Sequence, residues 1–99
     1  MEGLSLMRLS NNERAIIKQI LHGIDRHAKV FLFGSRVYDD KKGGDIDLLV
    51  FSKKMDFKKQ LYFQAKLWEQ LGEQKIDIVL SNQNNQHFVS LIVDEAVAI

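Results

Sequence analysis

The sequence predicts an α/β (α+β) sandwich in which one small mixed sheet of three strands is flanked by about four helices, in the order αβαβαβα. Three observations lead there. Apolar runs rich in β-formers recur at residues 28–33, 45–51 and 75–80. Stretches with apolar residues at helical spacing alternate with them. Capping residues and glycines stand at the boundaries between the two patterns. The 99 residues suffice for one compact domain with one core, so a single domain over residues 1–99 is expected.

The elements follow in chain order. Residues 1–9 are a mixed lead-in. Ser10 followed by Glu13 fits a capping box, so a helix begins near Asn11. Ile16, Ile17, Ile20, Leu21 and Ile24 carry its apolar stripe to about Asp25. Residues 28–33 are apolar apart from Lys29 and stop at Gly34, as a buried strand does. Residues 35–38 leave room for a turn or two of helix, and 39–44, with two glycines and two lysines, read as a loop. Residues 45–51 form the second strand.

Phe57, Leu61, Ala65, Trp68 and Leu71 then recur at helical spacing, with Asp56 as N-cap and Gly72 just past the end. Trp68 and Phe63 are assigned to core or interface packing. In the third strand Ile76, Ile78 and Leu80 share one face, with Asp77 and Val79 on the other. From His87 to the end, Phe88, Leu91, Ile92, Ala96 and Ile99 form one stripe and Val89, Val93 and Val97 an adjacent one. A final helix apolar over most of its circumference is expected there, partly buried and partly facing a partner, with a terminal strand, suggested by its β-branched content, as the lesser alternative.

Composition narrows the function classes. With 45% hydrophobic and 27% charged residues the chain is a globular domain and not a disordered tail. A net charge of +1 gives no bulk attraction to nucleic acid or to a membrane, and neither is an expected partner. The absence of cysteine rules out disulfides and thiolate metal sites. No apolar run approaches a membrane span and no basic segment leads into a signal core, which makes a cytoplasmic protein the expectation.

Three acids interrupt otherwise apolar strands: Asp45, Asp47 and Asp77. Burying an unpaired carboxylate costs several kcal/mol, so each needs a partner. Any one of them could sit at a strand edge and pair with Lys41, Lys42 or Lys75; three together point to a shared task. Asp45 and Asp47, at i and i+2, share a strand face about 6–7 Å apart, a spacing that suits hard divalent cations such as magnesium. If the second and third strands are parallel neighbours, Asp77 joins them at one end of the sheet. Gly34 ends a strand and lets the backbone approach a ligand, and Ser35 with the following backbone N–H groups offers donors to a phosphate. Arg36 would neutralise phosphate charge or pair with Asp39 or Asp40. Lys53, Lys54, Lys58 and Lys59 flank the acids in sequence, as triphosphate contacts or as a solvated helix start. His22, His27 and His87 lack metal-ligand spacing.

The Gly34-Ser35 turn, the Asp45-Ile46-Asp47 strand and the later Asp77 strand resemble the nucleotidyltransferase superfamily typified by DNA polymerase β, and specifically its minimal, free-standing bacterial and archaeal members. The resemblance runs from the first helix to the third strand. Departures lie in the loop: nine residues separate Ser35 from Asp45, one fewer than in many members. Gly44 replaces a frequent serine, and Asp39 a frequent glycine.

The resemblance implies two-metal transfer of a nucleoside monophosphate from a triphosphate such as ATP to an acceptor hydroxyl. Asp45 and Asp47 would hold one Mg2+ and all three acids a second, Asp77 would accept the hydroxyl proton, and Gly34, Ser35 and Arg36 would contact the nucleotide. Minimal members are commonly paired with a helical HEPN-type toxin, which the transferase neutralises by adding AMP and by binding. The small size of the chain fits an acceptor supplied by a partner or a second copy, docked on the final helix; truncation after Asp94 is the test that the sequence suggests. The alternatives are transfer to an antibiotic-like small molecule and neutralisation by binding alone.

Overall fold

The structure, a computed structural model, describes residues 9–34, 46–72, 75–82 and 84–99. Helix α1 (Asn11–Ile24) starts where the capping box places it. The Glu13 N–H donates to Ser10 Oγ at 3.0 Å, and the Ser10 N–H donates to Glu13 Oε1 at 2.9 Å. Strands β1 (Lys29–Phe33) and β2 (Ile46–Phe51) pair antiparallel. Helix α2 (Phe57–Leu71) crosses from β2 to β3 (Ile76–Leu80), which runs parallel to β2. Asp56 caps α2 by accepting from the Lys59 N–H at 2.8 Å, and Gly72, at φ 88°, ends it.

The end of the chain differs from the expectation. Helix α3 covers only Gln86–Ile92, a 3-10 turn follows at Val93–Glu95, and Val97–Ala98 form a fourth strand, β4. β4 lies antiparallel along β1, so the sheet has four strands in the order β3-β2-β1-β4. The expected three strands become four, and three α-helices stand among the described residues; the short helix expected at 35–38 lies outside them. Helical periodicity gave way because β1 would otherwise leave a row of backbone groups unpaired, and β-branched Val97 suits the pleated edge better than a helix end. The Ile99 N–H extends the pairing by donating to the Val30 carbonyl at 3.2 Å.

Both long helices lie on one face of the sheet. Ile17 and Leu21 of α1 and Phe63 and Leu67 of α2 join Val30, Leu32, Ile46, Leu48, Val50 and Ile76 in one core cluster. The face that α2 turns to the sheet shares only Leu71 with the stripe that announces the helix. Phe57, Leu61, Ala65 and Trp68 are exposed, whereas Phe63 and Leu67 are fully buried and Leu71 packs against the core. Two stripes of α2 satisfy helical spacing, and the sheet selected the one that also carries Gln60 and Gln64.

Those glutamines seal an edge. In the β2–β3 ladder the carbonyl of Lys75 accepts from Ile46 and the N–H of Ser81 donates to Val50, so the carbonyls of Ile76, Ile78 and Leu80 point away from β2. Gln64 Nε2 donates to the Ile76 carbonyl at 2.9 Å and Gln60 Nε2 to the Ile78 carbonyl at 3.2 Å. Asn85 Nδ2 donates to the Leu80 carbonyl at 2.7 Å. Side-chain amides thus occupy the acceptors a foreign strand would use.

Asp25, which closes α1, is the buried charged residue among those described, 4% exposed. Its Oδ2 accepts from Ser52 Oγ at 2.7 Å and its Oδ1 from the His27 N–H at 3.0 Å. The Ser52 hydroxyl foremost, then the His27 N–H, hold the carboxyl below its ordinary value of 3.8 against the opposing effect of burial. The contact ties the α1–β1 turn to the β2–α2 turn. Among the described residues no helix is long and apolar enough to cross a membrane.

Two predictions follow from these contacts. Replacing both Gln60 and Gln64 with alanine should lose about 1–2 kcal/mol of stability and should raise self-association, read by denaturant unfolding and light scattering; unchanged values would show that the edge needs no seal. Because the folded-state pKa of Asp25 is depressed, its stabilisation is present above pH about 4 and is lost as pH falls through the folded value. Ser52→Ala should therefore be less stable than the parent at neutral pH, with the difference shrinking as acid protonates Asp25, as measured by thermal melts across pH.

Candidate functional site

Parallel pairing of β2 with β3 aligns Asp47 directly with Asp77. Neighbouring strands lie about 4.8 Å apart, and partners in register point to the same side, so two carboxylates stand next to each other at one end of the sheet. Antiparallel pairing with β1 sets Phe33 against Asp47. Phe33, Asp47 and Asp77 therefore form one row across three strands, and Gly34 follows at its end. Asp47 is half-buried and Asp77 exposed.

The row lies on the face opposite α1 and α2. Ile46, Leu48 and Val50 are fully buried on the helix side, so alternation sends Asp47, Leu49 and Phe51 the other way. A slip of one residue would exchange the two sets. It would take three apolar side chains out of the helix-side core, where each contributes about 1.5–3 kcal/mol by burial, and sink Asp47 into that core.

Gly34 takes φ 79°, the left-handed region that glycine enters without steric cost. Its missing side chain matters as much. A Cβ at this position would collide with the Asp47 carboxylate, whose Oδ2 is the nearest atom and whose Cγ would lie 3.2 Å away. The carboxylate therefore rests against the α-carbon at the end of β1. Hard oxygen donors on adjacent strands, beside backbone stripped of a side chain, are a donor set of the kind magnesium takes. The two carboxylates place negative charge where a cation could balance it, and a cation held there would polarise phosphoryl oxygens.

Of the residues expected from sequence, the structure brings together Gly34, Asp47 and Asp77. Ser35, Arg36 and Asp45 lie outside the described residues. Lys53 and Lys54, adjacent to the acids in sequence, follow the opposite end of β2 and do not reach them. His22 Nε2 lies 3.2 Å from the Ala28 carbonyl, a structural contact within the α1–β1 connection.

The model of the polymerase beta nucleotidyltransferase family matches residues 11–99, from the first residue of α1 to the end of the chain. The chain belongs to this family. No curated protein matches it. The mixed sheet with its two long helices on one face fits a polymerase beta nucleotidyltransferase domain, and nucleotidyl transfer is the chemistry that membership supports.

Sequence reasoning passed over the tie between Asp25 and Ser52, because residues 27 positions apart give no local signal.

Gly34→Ala should destabilise the domain by about 1–2 kcal/mol through the left-handed backbone alone, and should also displace the Asp47 carboxylate. Chemical unfolding measures the first effect. A loss of magnesium affinity exceeding the loss of stability would report the second.

Proposed function

We propose that the protein transfers a nucleoside monophosphate, AMP from ATP, to a hydroxyl group of a partner protein, as the antitoxin of a HEPN-type toxin–antitoxin pair. The observation that carries this reading is the aligned Asp47 and Asp77 beside Gly34 in a polymerase beta nucleotidyltransferase domain. Asp45, Asp47 and Asp77 would hold two Mg2+ ions, which when bound neutralise the triphosphate and lower the pKa of the acceptor hydroxyl.

The chain's own residues supply position and proton handling. Asp47, seated against Gly34, is held by the β1–β2 register and orients one ligand set without needing to move. Asp77 is exposed on an edge strand, where an acceptor carried by another protein can approach, and its carboxylate accepts the hydroxyl proton. Gly34 leaves its backbone open to the triphosphate, while Ser35 and Arg36 contact the phosphates that depart as pyrophosphate.

Exposed apolar side chains support a protein acceptor. Phe88, Leu91 and Val93 are 44%, 64% and 39% exposed at and after α3, on the segment expected to meet a partner. Phe57, Leu61, Tyr62 and Trp68 of α2 add a second apolar surface. Truncation after Asp94 is no longer a clean test of docking, because it removes β4 and Ile99 from the sheet and core as well. Leu91→Glu is the better variant, since it changes an exposed side chain.

Incubation of a helical HEPN-type partner with the protein, magnesium and ATP should add one or more AMP units to the partner, read by mass spectrometry. Asp47→Asn and Asp77→Asn should each lower transfer by more than the roughly 10–100-fold typical of losing an outer-shell metal partner, while complex formation persists. Leu91→Glu should weaken the complex. An unmodified partner that is nevertheless fully neutralised by the Asp47→Asn variant would mean that binding alone is the activity.

A further inference from the structure

The face that carries the acids has a second end, and its chemistry is the reverse. Lys29 is in register with Phe51, four residues along β1 from the Phe33–Asp47 row, or about 13 Å at strand rise. Around this end lies a cavity of about 640 Å³ whose described lining includes Lys29, Phe51, Lys53 and Lys54. Leu49, fully buried between the two ends, separates it from the acids.

Three lysines line the cavity. Lys29, Lys53 and Lys54 are exposed and form no ion pair among the described residues. The carboxylate in the same lining is Asp25, buried and engaged through both oxygens by Ser52 and His27. It attracts Lys54 but is turned into its own turn. The cavity lining thus carries more positive charge than its own acid balances, which favours an incoming anion.

The rim is also held in place. Ser52 Oγ accepts from the N–H groups of Lys54 and Met55, each at 3.1 Å, while donating to Asp25. Lys59 Nζ donates to the Lys54 carbonyl at 3.2 Å. The turn bearing Lys53 and Lys54 is therefore fixed to α1 and to α2 without using either ammonium group.

The lining also includes an aromatic ring. Phe51 is half-buried, and Phe31 meets it edge to face with ring centroids 5.6 Å apart, which holds the ring's orientation. An aromatic side chain in the same lining as three cations suits a ligand that carries a flat apolar group and a phosphate together. Inorganic phosphate would use only the rim.

We propose that this cavity binds a nucleoside monophosphate, its base against Phe51 and its phosphate among Lys29, Lys53 and Lys54, at a site separate from the acids. The assignment goes beyond the transfer reading and does not rest on it.

Calorimetric titration of the full chain with AMP, ribose 5-phosphate and adenosine, in EDTA at low salt, tests it. AMP should bind with a Kd on the order of 1 mM or tighter, at least tenfold tighter than either fragment, and added salt should weaken it. The double variant Lys53→Glu/Lys54→Glu, changed only at exposed positions, should retain its circular dichroism and lose AMP affinity at least tenfold. Absence of AMP binding, ribose 5-phosphate binding as tightly as AMP, or full AMP affinity in Lys53→Glu/Lys54→Glu would each overturn the proposal, the last by placing the ligand away from this cavity.

Discussion

The alignment of Asp47 with Asp77 depends on one constraint, the parallel register of β2 and β3, and that register is enforced from the other side of the sheet. Ile46, Leu48 and Val50 are fully buried beneath the helices, as is Ile76 nearly so on β3. Side chains alternate strictly along a strand, so burying this set leaves one place for the acids. The hydrophobic effect thereby positions polar groups it never touches. Parallel pairing also requires a crossover, and α2 is that crossover. The helix that completes the core is the same element that delivers Asp77 beside Asp47.

Local devices hold the rest of the frame at points where burial is weak. At the edge of β3, amides from α2 and from Asn85 occupy outward-facing carbonyls. At the far end of the sheet, Asp25 and Ser52 join two turns that are distant in sequence. β4 covers the other edge with two residues. Each device satisfies backbone or charged groups that would otherwise face water or a second strand. The sheet face opposite the helices is left to two contrasting ends, acidic beside Gly34 and cationic beside Phe51.

Much of this was legible residue by residue. Ser10 and Glu13 announced the start of α1, and Asp56 and Gly72 bracketed α2, because capping is a contact between near neighbours. Asp47 and Asp77 stood out as charges inside apolar strands, which only a shared task or an edge position reconciles. The last segment misled because apolar residues at helical spacing also describe a short helix followed by an edge strand. Val97 and Ala98 became strand because β1 was adjacent; the β-branched content of the segment hinted at a strand, but the pattern did not show which neighbour would take it. The buried face of α2 was hidden for a related reason: Phe57, Leu61, Ala65 and Trp68 repeat as regularly as Phe63, Leu67 and Leu71.

By itself the sequence determined the elements whose signals are local: the two long helices with their caps, the three apolar strands, the glycine at the end of β1 and the acids within the strands. Those depend on backbone conformation and on contacts a few residues apart. Tertiary structure alone decided which stripe of α2 meets the sheet, that the last residues pair with β1, that Asp47 faces Asp77 in register, and that Lys53 and Lys54 stand far from both. These are choices between partners distant in the chain, and they are made by which apolar faces can be buried together and which backbone groups would otherwise remain unpaired.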